Sequence, residues 1–212
     1  MIEIRRYITR AGKDVIGDWL ATLENHARAI VSVRIDRLSL GNFGDCEALR
    51  AGISELRIDW GPGYRVHYAT LGRTCVLLLC GGDKRKQSSD IKRAIEFFED
   101  YRGLQGKDPQ AMKRKASISH DEAMVKELRE RPDFAAEYLK AAMDEAEDPG
   151  VLLIALRRVA EAKGGVAKVA KAAGIERESL YRALSIHGNP RLSTLVAVTK
   201  AIGLRLTVEA VQ

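Results

Sequence analysis

ISELRIDWGPGYRVHYATLGRTCVLLLCGGDKRKQ, residues 53–87, decides the fold of the first half of this 212-residue chain. Apolar and polar residues alternate with a period of two through ISELRID and YRVHYAT. WGPG and LGR are turn formers, so three strands follow one another and the last is CVLLLCG. Alternation also sorts faces: Leu56, Ile58, Val66 and Tyr68 point to a core, while Glu55, Arg57, Asp59, Arg65 and His67 point the other way. VLLLC has no polar alternation and reads as buried on both faces. It ends in GGDKRKQ, read as a turn that delivers Lys84, Arg85 and Lys86 to the same rim as Arg57 and Arg65.

Upstream, IEIRRYI alternates as a half-buried strand. Asp14 to Leu40 then carries helical spacing (Val15, Trp19, Leu23; Ile30, Ile35, Leu38) that fits two helices joined near Asn25. Downstream, Ser88 to Arg102 places Ile91, Ala94, Ile95 and Phe98 on one helical stripe. The order is β, α, α, β, β, β, α.

Length suits two domains of roughly 100 residues each. Residues 1–111 hold 18 Lys/Arg against 15 Asp/Glu and residues 112–212 hold 17 against 14, so each half contributes +3 to the net +6. A basic balance is compatible with a polyanionic partner and equally with good solubility, so position must decide. Three cysteines without metal-ligand spacing, two of them in an apolar run, imply a reduced, cytoplasmic protein. No apolar stretch approaches a membrane span, and the charged N-terminus implies no secretion. There is no Ser/His/Asp set, metal-ligand cluster or phosphate loop, and no cofactor is implied.

A rim of Arg57, Arg65, Lys84, Arg85 and Lys86 can hold a phosphodiester, neutralise charge building on its oxygens and position a ribose 2′-hydroxyl for in-line attack. That would cut RNA without a metal. The competing reading is a solvated sheet face with incidental charges. His67, sharing a face with Arg65, is either a general base or a structural histidine.

The succession SELRID, GPGYRVHYA and VLLLCGGDKRKQSSDIKRA closely resembles the RelE/HigB-like toxins of bacterial addiction modules, over nearly all of residues 1–102. The resemblance implies a RelE/ParE-like domain, a helical hairpin on an antiparallel-rich sheet with a C-terminal helix, acting on mRNA at the ribosome. It implies that Arg65 binds and activates the scissile phosphate, with related work for Lys84 and, beside it, Arg85 and Lys86. Ile53 and Glu55 stand where RelE has lysines, and RelE's tyrosine has no clear counterpart near Ile91.

In the second half, Ser119 and Glu122 form a capping-box pattern that starts a helix ending before Pro132; amphipathic helices follow from about Phe134 and from Val151. The helices between Ser119 and Glu147 offer apolar surface for a tight contact with the first half. VAKVAKAAGIERESLYRAL, residues 166–184, is more specific. Ala170 is small where two short helices would cross, Gly174 permits a left-handed turn, and Val169, Ala173, Ile175 and Leu180 pack. The helix from about Arg177 to Ser185 then presents Arg177, Ser179, Tyr181 and Arg182 to a major groove, with Asn189 following. The competing reading is a small bundle with a fortuitous turn. LRLTVEA alternates as a terminal strand. Residues 134–209, above all LYRALSIHGNPRLSTLVAVTKAIGLRLTV, closely resemble HigA-like antidote proteins. That resemblance implies operator binding as a homodimer, although Glu176 replaces the usual Ser or Thr cap.

The expectation is therefore an α+β toxin domain (1–102), a linker (103–118) around Met112, which reads as a former start codon, and an all-α helix-turn-helix antitoxin domain with a C-terminal strand (119–212). A gyrase-poisoning toxin half and a purely regulatory chain remain as rivals.

Overall fold

The computed structural model describes residues 1–104, 116–145 and 148–208, so Met112 and most of the expected linker lie outside the described residues. Described residues form an α+β protein of two compact units, Met1–Ala123 and Met124–Gln212.

The first unit opens with β1 (Glu3–Tyr7) and a helical hairpin, α1 (Val15–Ala21) and α2 (Asn25–Ser39). Asp14 caps α1 by accepting from the Gly17 amide at 2.9 Å. Then come β2 (Cys46–Ala48), β3 (Ile53–Ile58), β4 (Tyr64–Leu71), β5 (Cys75–Asp83), α3 (Gln87–Leu104) and β6 (Ser117–Ser119). The sheet order is β2-β3-β4-β5-β1-β6; β1 runs parallel to β5 and every other pairing is antiparallel.

One face carries the expected core, where Leu56, Ile58, Val66 and Tyr68 pack with Ile16, Leu20, Val31 and Ile35 of the hairpin. The opposite face, expected to be open and charged, is covered by α3: Ala94, Phe98 and Tyr101 pack on Ile53, Ala69, Leu77 and Cys80. Glu55 and His67, on that face, are consequently buried. The GGD read as a turn instead continues β5. A side chain on Gly81 would collide with the Trp19 ring and one on Gly82 with the Asp90 carboxylate, so the two glycines let α1 and α3 close on the strand from either side. A further difference is β6, formed where the linker was expected.

The α4 helix (His120–Glu130) follows, its Glu122 amide donating to Ser119 Oγ at 3.3 Å as the capping-box pattern requires. The second unit holds α5 (Pro132–Asp144), α6 (Pro149–Ala162), α7 (Val166–Ala173), α8 (Arg177–Ala183) and α9 (Leu192–Ala201). Its core includes Phe134, Tyr138, Val151, Leu156, Val159, Val169, Leu180 and Val198. The buried Arg158 donates to Tyr138 Oη at 2.7 Å, which lets a charged side chain sit between α5 and α6. The expected C-terminal strand is absent from its described part, Leu204–Val208. Among the described residues no helix is long and apolar enough to cross a membrane.

Candidate functional site

In the first unit the polar residues of the α3 face converge on Glu55, which is fully buried. The strand register sets Glu55 opposite His67, Arg57 opposite Arg65, and Arg65 opposite Gly82. Glu55 Oε1 lies 3.2 Å from Arg57 Nε and 3.4 Å from Arg65 Nε, and both carboxylate oxygens accept from Gln87 Nε2 at 3.0 Å. Gln87 begins α3, so helix and sheet are locked together through this carboxylate.

His67 lies 3.2 Å from Glu55 on one side and 4.0 Å from Cys80 Sγ on the other. The distance to Glu55 suits an ion pair, yet burial, aided by Arg93 and Arg65 and opposed by Asp90, lowers the histidine pKa to about 4. Desolvation wins, and the ring is neutral at neutral pH. Sealed beneath α3, His67 does not face solvent, and of the two roles open to it the structural one fits this placement. Burial also pushes the Cys80 thiol up to about 11.

The five rim cations are not equivalent. Arg57 is held by Asp45, Glu47 and Glu55, so its charge is matched locally. Arg85 is held by Asp83 at 2.8 Å, and that contact keeps the Asp83 carboxyl below its usual range. Lys84 and Lys86 are exposed and make no ion pair among the described residues. Arg65 is 13% exposed, and its Nη1 donates to the Tyr64 carbonyl at 3.0 Å. Gly63 brings two of these together: its Cβ position lies 3.6 Å from Arg65 Nη1 and 3.7 Å from Lys84 Cβ, and its carbonyl accepts from the Lys84 amide at 3.0 Å. Arg65 thus shares the Glu55 carboxylate with Arg57, while Lys84 and Lys86 stand exposed without an ion pair among the described residues. Sequence reasoning assigned no role to Glu55, which holds Arg57 and Arg65, or to Gln87, which holds Glu55. The signal in the sequence was the period-two register that sets Glu55 against His67. Among the described residues no group of three or more His, Cys, Asp or Glu side chains is arranged to hold a metal ion.

In the second unit, α7 and α8 are joined through Gly174, whose φ of +68° is the left-handed conformation its sequence position predicts. Ala170 is 1% exposed and Leu180 fully buried, as a close helix crossing requires. Glu176 caps α8, accepting from the Glu178 and Ser179 amides at 2.9 and 2.7 Å, so this unusual cap works. Those bonds hold its carboxyl below the usual range. Arg177 lies exposed over the half-buried Tyr181 ring, 5.5 Å from its centroid. Arg182 is exposed and reaches Ser179 Oγ at 3.5 Å, and Asn189 is exposed in the loop before α9. Helix α8 therefore exposes two arginines, each beside a polar neighbour: Arg177 with Tyr181 and Arg182 with Ser179.

A two-helix element of this kind, with cations on the second helix, belongs to a compact helical module that follows a sheet unit with a basic rim. Residues 121–210 match the family described as "Probable addiction module antidote protein". A protein of Haemophilus influenzae, named only "Uncharacterized protein", is 52% identical over 77 residues, which cover 36% of this chain and 78% of that protein. A second protein of the same organism and the same name is 39% identical over 72 residues, 34% of this chain and 72% of that protein. Through its C-terminal part the chain belongs to this antidote family. An antidote family implies a toxin partner, so the chain carries a component of an addiction module. No solved structure matches the chain.

Proposed function

We propose that the chain is a toxin–antitoxin pair in one polypeptide: a RelE-like, metal-independent mRNA endoribonuclease in the sheet unit, neutralised by an antitoxin that binds its own operator as a dimer. The antidote family at residues 121–210 carries this reading, because an antidote has meaning only beside a toxin and the chain holds one other unit. Arg65 and Lys84, gathered at Gly63, support phosphate binding by that unit. Such a module works in the cytoplasm, on ribosome-bound mRNA and on DNA.

In the cleavage step Arg65, oriented by Glu55, would donate to the oxygens of the scissile phosphate while Lys84 and Lys86 offset the backbone charge. The 2′-hydroxyl attacks in line and the 5′-oxygen leaves. With His67 sealed away, the proton would pass to a rim group or to water. In the antitoxin, Arg177, Ser179, Tyr181, Arg182 and Asn189 would face DNA, with arginine the strongest reader of guanine.

Expressing residues 1–104 with and without the remainder tests the pair. Growth arrest and ribosome-dependent mRNA cleavage by the short form, lost with Arg65→Ala and reversed by residues 116–212, are the expected results. A folded but harmless short form would refute the toxin assignment. The carboxylates on Arg57 and Arg85 favour one second reading, a toxin of the same fold that binds DNA gyrase without catalysis. Trapped gyrase–DNA complexes without RNA cleavage would identify it.

A further inference from the structure

We propose that residues 116–120, ASISH, are the recognition strand by which the antidote half grips the sheet unit, with His120 as its anchor. The proposal rests on reading the second half as an antidote and names the surface it uses.

Ser117–Ser119 adds a sixth strand to the sheet, antiparallel to β1, with Arg5 opposite Ser119, Arg6 opposite Ile118 and Tyr7 opposite Ser117. Without it β1 would be an edge, with a row of backbone donors and acceptors facing outward. The strand is held at both ends. At one end the Ile8 amide donates to the Ala116 carbonyl at 2.9 Å, and Ala116, 4% exposed, packs in the cluster of Tyr7, Phe98 and Tyr101. At the other end His120 is fully buried, and its Nδ1 accepts from Arg6 Nε at 2.9 Å. A guanidinium only donates, so the imidazole is neutral and its proton lies on Nε2, 3.8 Å from Asp36 Oδ1. Arg6 in turn is paired to Asp14 at 3.1 Å.

Between these ends Arg5 reads the strand directly, donating from Nε to Ser117 Oγ at 2.7 Å and from Nη2 to the Ser117 carbonyl at 2.8 Å. Backbone pairing supplies affinity to any extended segment, whereas a small residue, a hydroxyl and a neutral histidine at these positions supply selectivity. Ile118 points outward, 36% exposed, and is not read. The occupant is therefore a short peptide of defined chemistry rather than any apolar helix, and in this chain it is the segment just ahead of the region that matches the antidote family.

The test uses the whole chain with a protease site inserted between residues 105 and 115 and cut to completion. The halves are expected to co-elute at micromolar concentration. His120→Ala or Ser117→Val should weaken their association roughly 10- to 100-fold, the effect of leaving a buried donor unmatched. Ile118→Ser should leave it unchanged. Hydrogen exchange on the uncut variants separates local from global damage: the strand amides should lose protection while those of α6 and α7 keep theirs. A peptide of residues 116–124 should compete for the cut protein, and its His120→Ala form should not. Wild-type association in both variants, or indifference to the peptide, would overturn the proposal, as would exchange of the segment between two copies. No RNA cleavage is measured, so failure here leaves the ribonuclease reading untouched, and the reverse holds.

Discussion

Replacing Glu55 with alanine should destabilise the first unit by about 3 kcal/mol, and the reason is visible in what the carboxylate touches. It is wholly buried and faces Arg57, Arg65, His67 and Gln87 at 3.0 to 3.4 Å. Removing one partner of a buried ion pair costs about 3–5 kcal/mol, because the other charge stays desolvated without compensation. Two features pull toward the lower end. Arg57 is 34% exposed and keeps Glu47 and Asp45; Arg65 is 13% exposed, so water reaches part of its guanidinium. The chain's two tryptophans, Trp19 and Trp60, both pack against the first unit's core, so their fluorescence in urea reports that unit alone. With a urea dependence of about 1–3 kcal/mol per M, the midpoint should fall by about 1–3 M. Glu55→Leu combined with Arg65→Met should recover much of the loss, since apolar residues of similar shape replace buried ion pairs at little cost. A single-variant loss under about 1 kcal/mol, or additive losses in the pair, would refute the view of Glu55 as the organising anion.

The pH profile of the same signal should show His67. Its folded pKa of about 4 lies below the ordinary value of 6.5, so the unfolded chain binds the proton first. Stability is retained above pH 6.5 and falls as pH drops toward 4, by up to about 3 kcal/mol, and His67→Phe should flatten that window. Arg182→Ala should reduce discrimination for operator DNA by about 1–3 kcal/mol, measured by gel shift at fixed salt, without releasing the toxin half; unchanged affinity would remove Arg182 from the DNA face. Gly174→Ala should lower the stability of the helical unit by about 1–2 kcal/mol through backbone strain alone, because no atom lies within 4 Å of the added methyl. Gly174→Asn should cost less in the same thermal melt, and an equal cost would argue for a packing cause.

Much of the fold was legible because local periods are strong. Leu56, Ile58, Val66 and Tyr68 declared their shared face two residues apart, and Gly174 declared a left-handed turn between two short apolar runs. What was not legible is which element covers which face. The stripe of Ala94 and Phe98 says that α3 packs on something, but only the three-dimensional arrangement shows that it packs over Glu55 and His67. Gly81 and Gly82 carry the usual signature of a turn; here the missing side chains admit Trp19 and Asp90, a requirement set by residues on the two helices that pack against the strand. The rim suffered similarly. Five cations are visible, but the Glu47 carboxylate that occupies Arg57 comes from a strand too short to announce itself, and the Asp45 carboxylate from the residue just before it.

That same shortness hid the strand at residues 117–119, where the capping box at Ser119 and Glu122 was the louder signal, and both readings hold because Ser119 ends the strand and caps α4. The consequence reaches any experiment on the isolated first half. Cutting before residue 116 removes β6, leaves β1 as an edge strand and takes His120 from Arg6 and Asp36, two charged groups that are buried in the intact chain. The short form should therefore unfold at lower urea than the same unit in the whole chain and should self-associate as its concentration rises. Tryptophan fluorescence and light scattering measure the two effects, and equal midpoints would mean that β6 adds nothing to the sheet. Under the proposed function, a lower midpoint for the short form would make inhibition and completion of the fold one physical event, carried by the same segment. A toxin half freed from its antidote would act from a less stable state, so Arg65→Ala must be compared with wild type within the same truncation rather than against the intact chain.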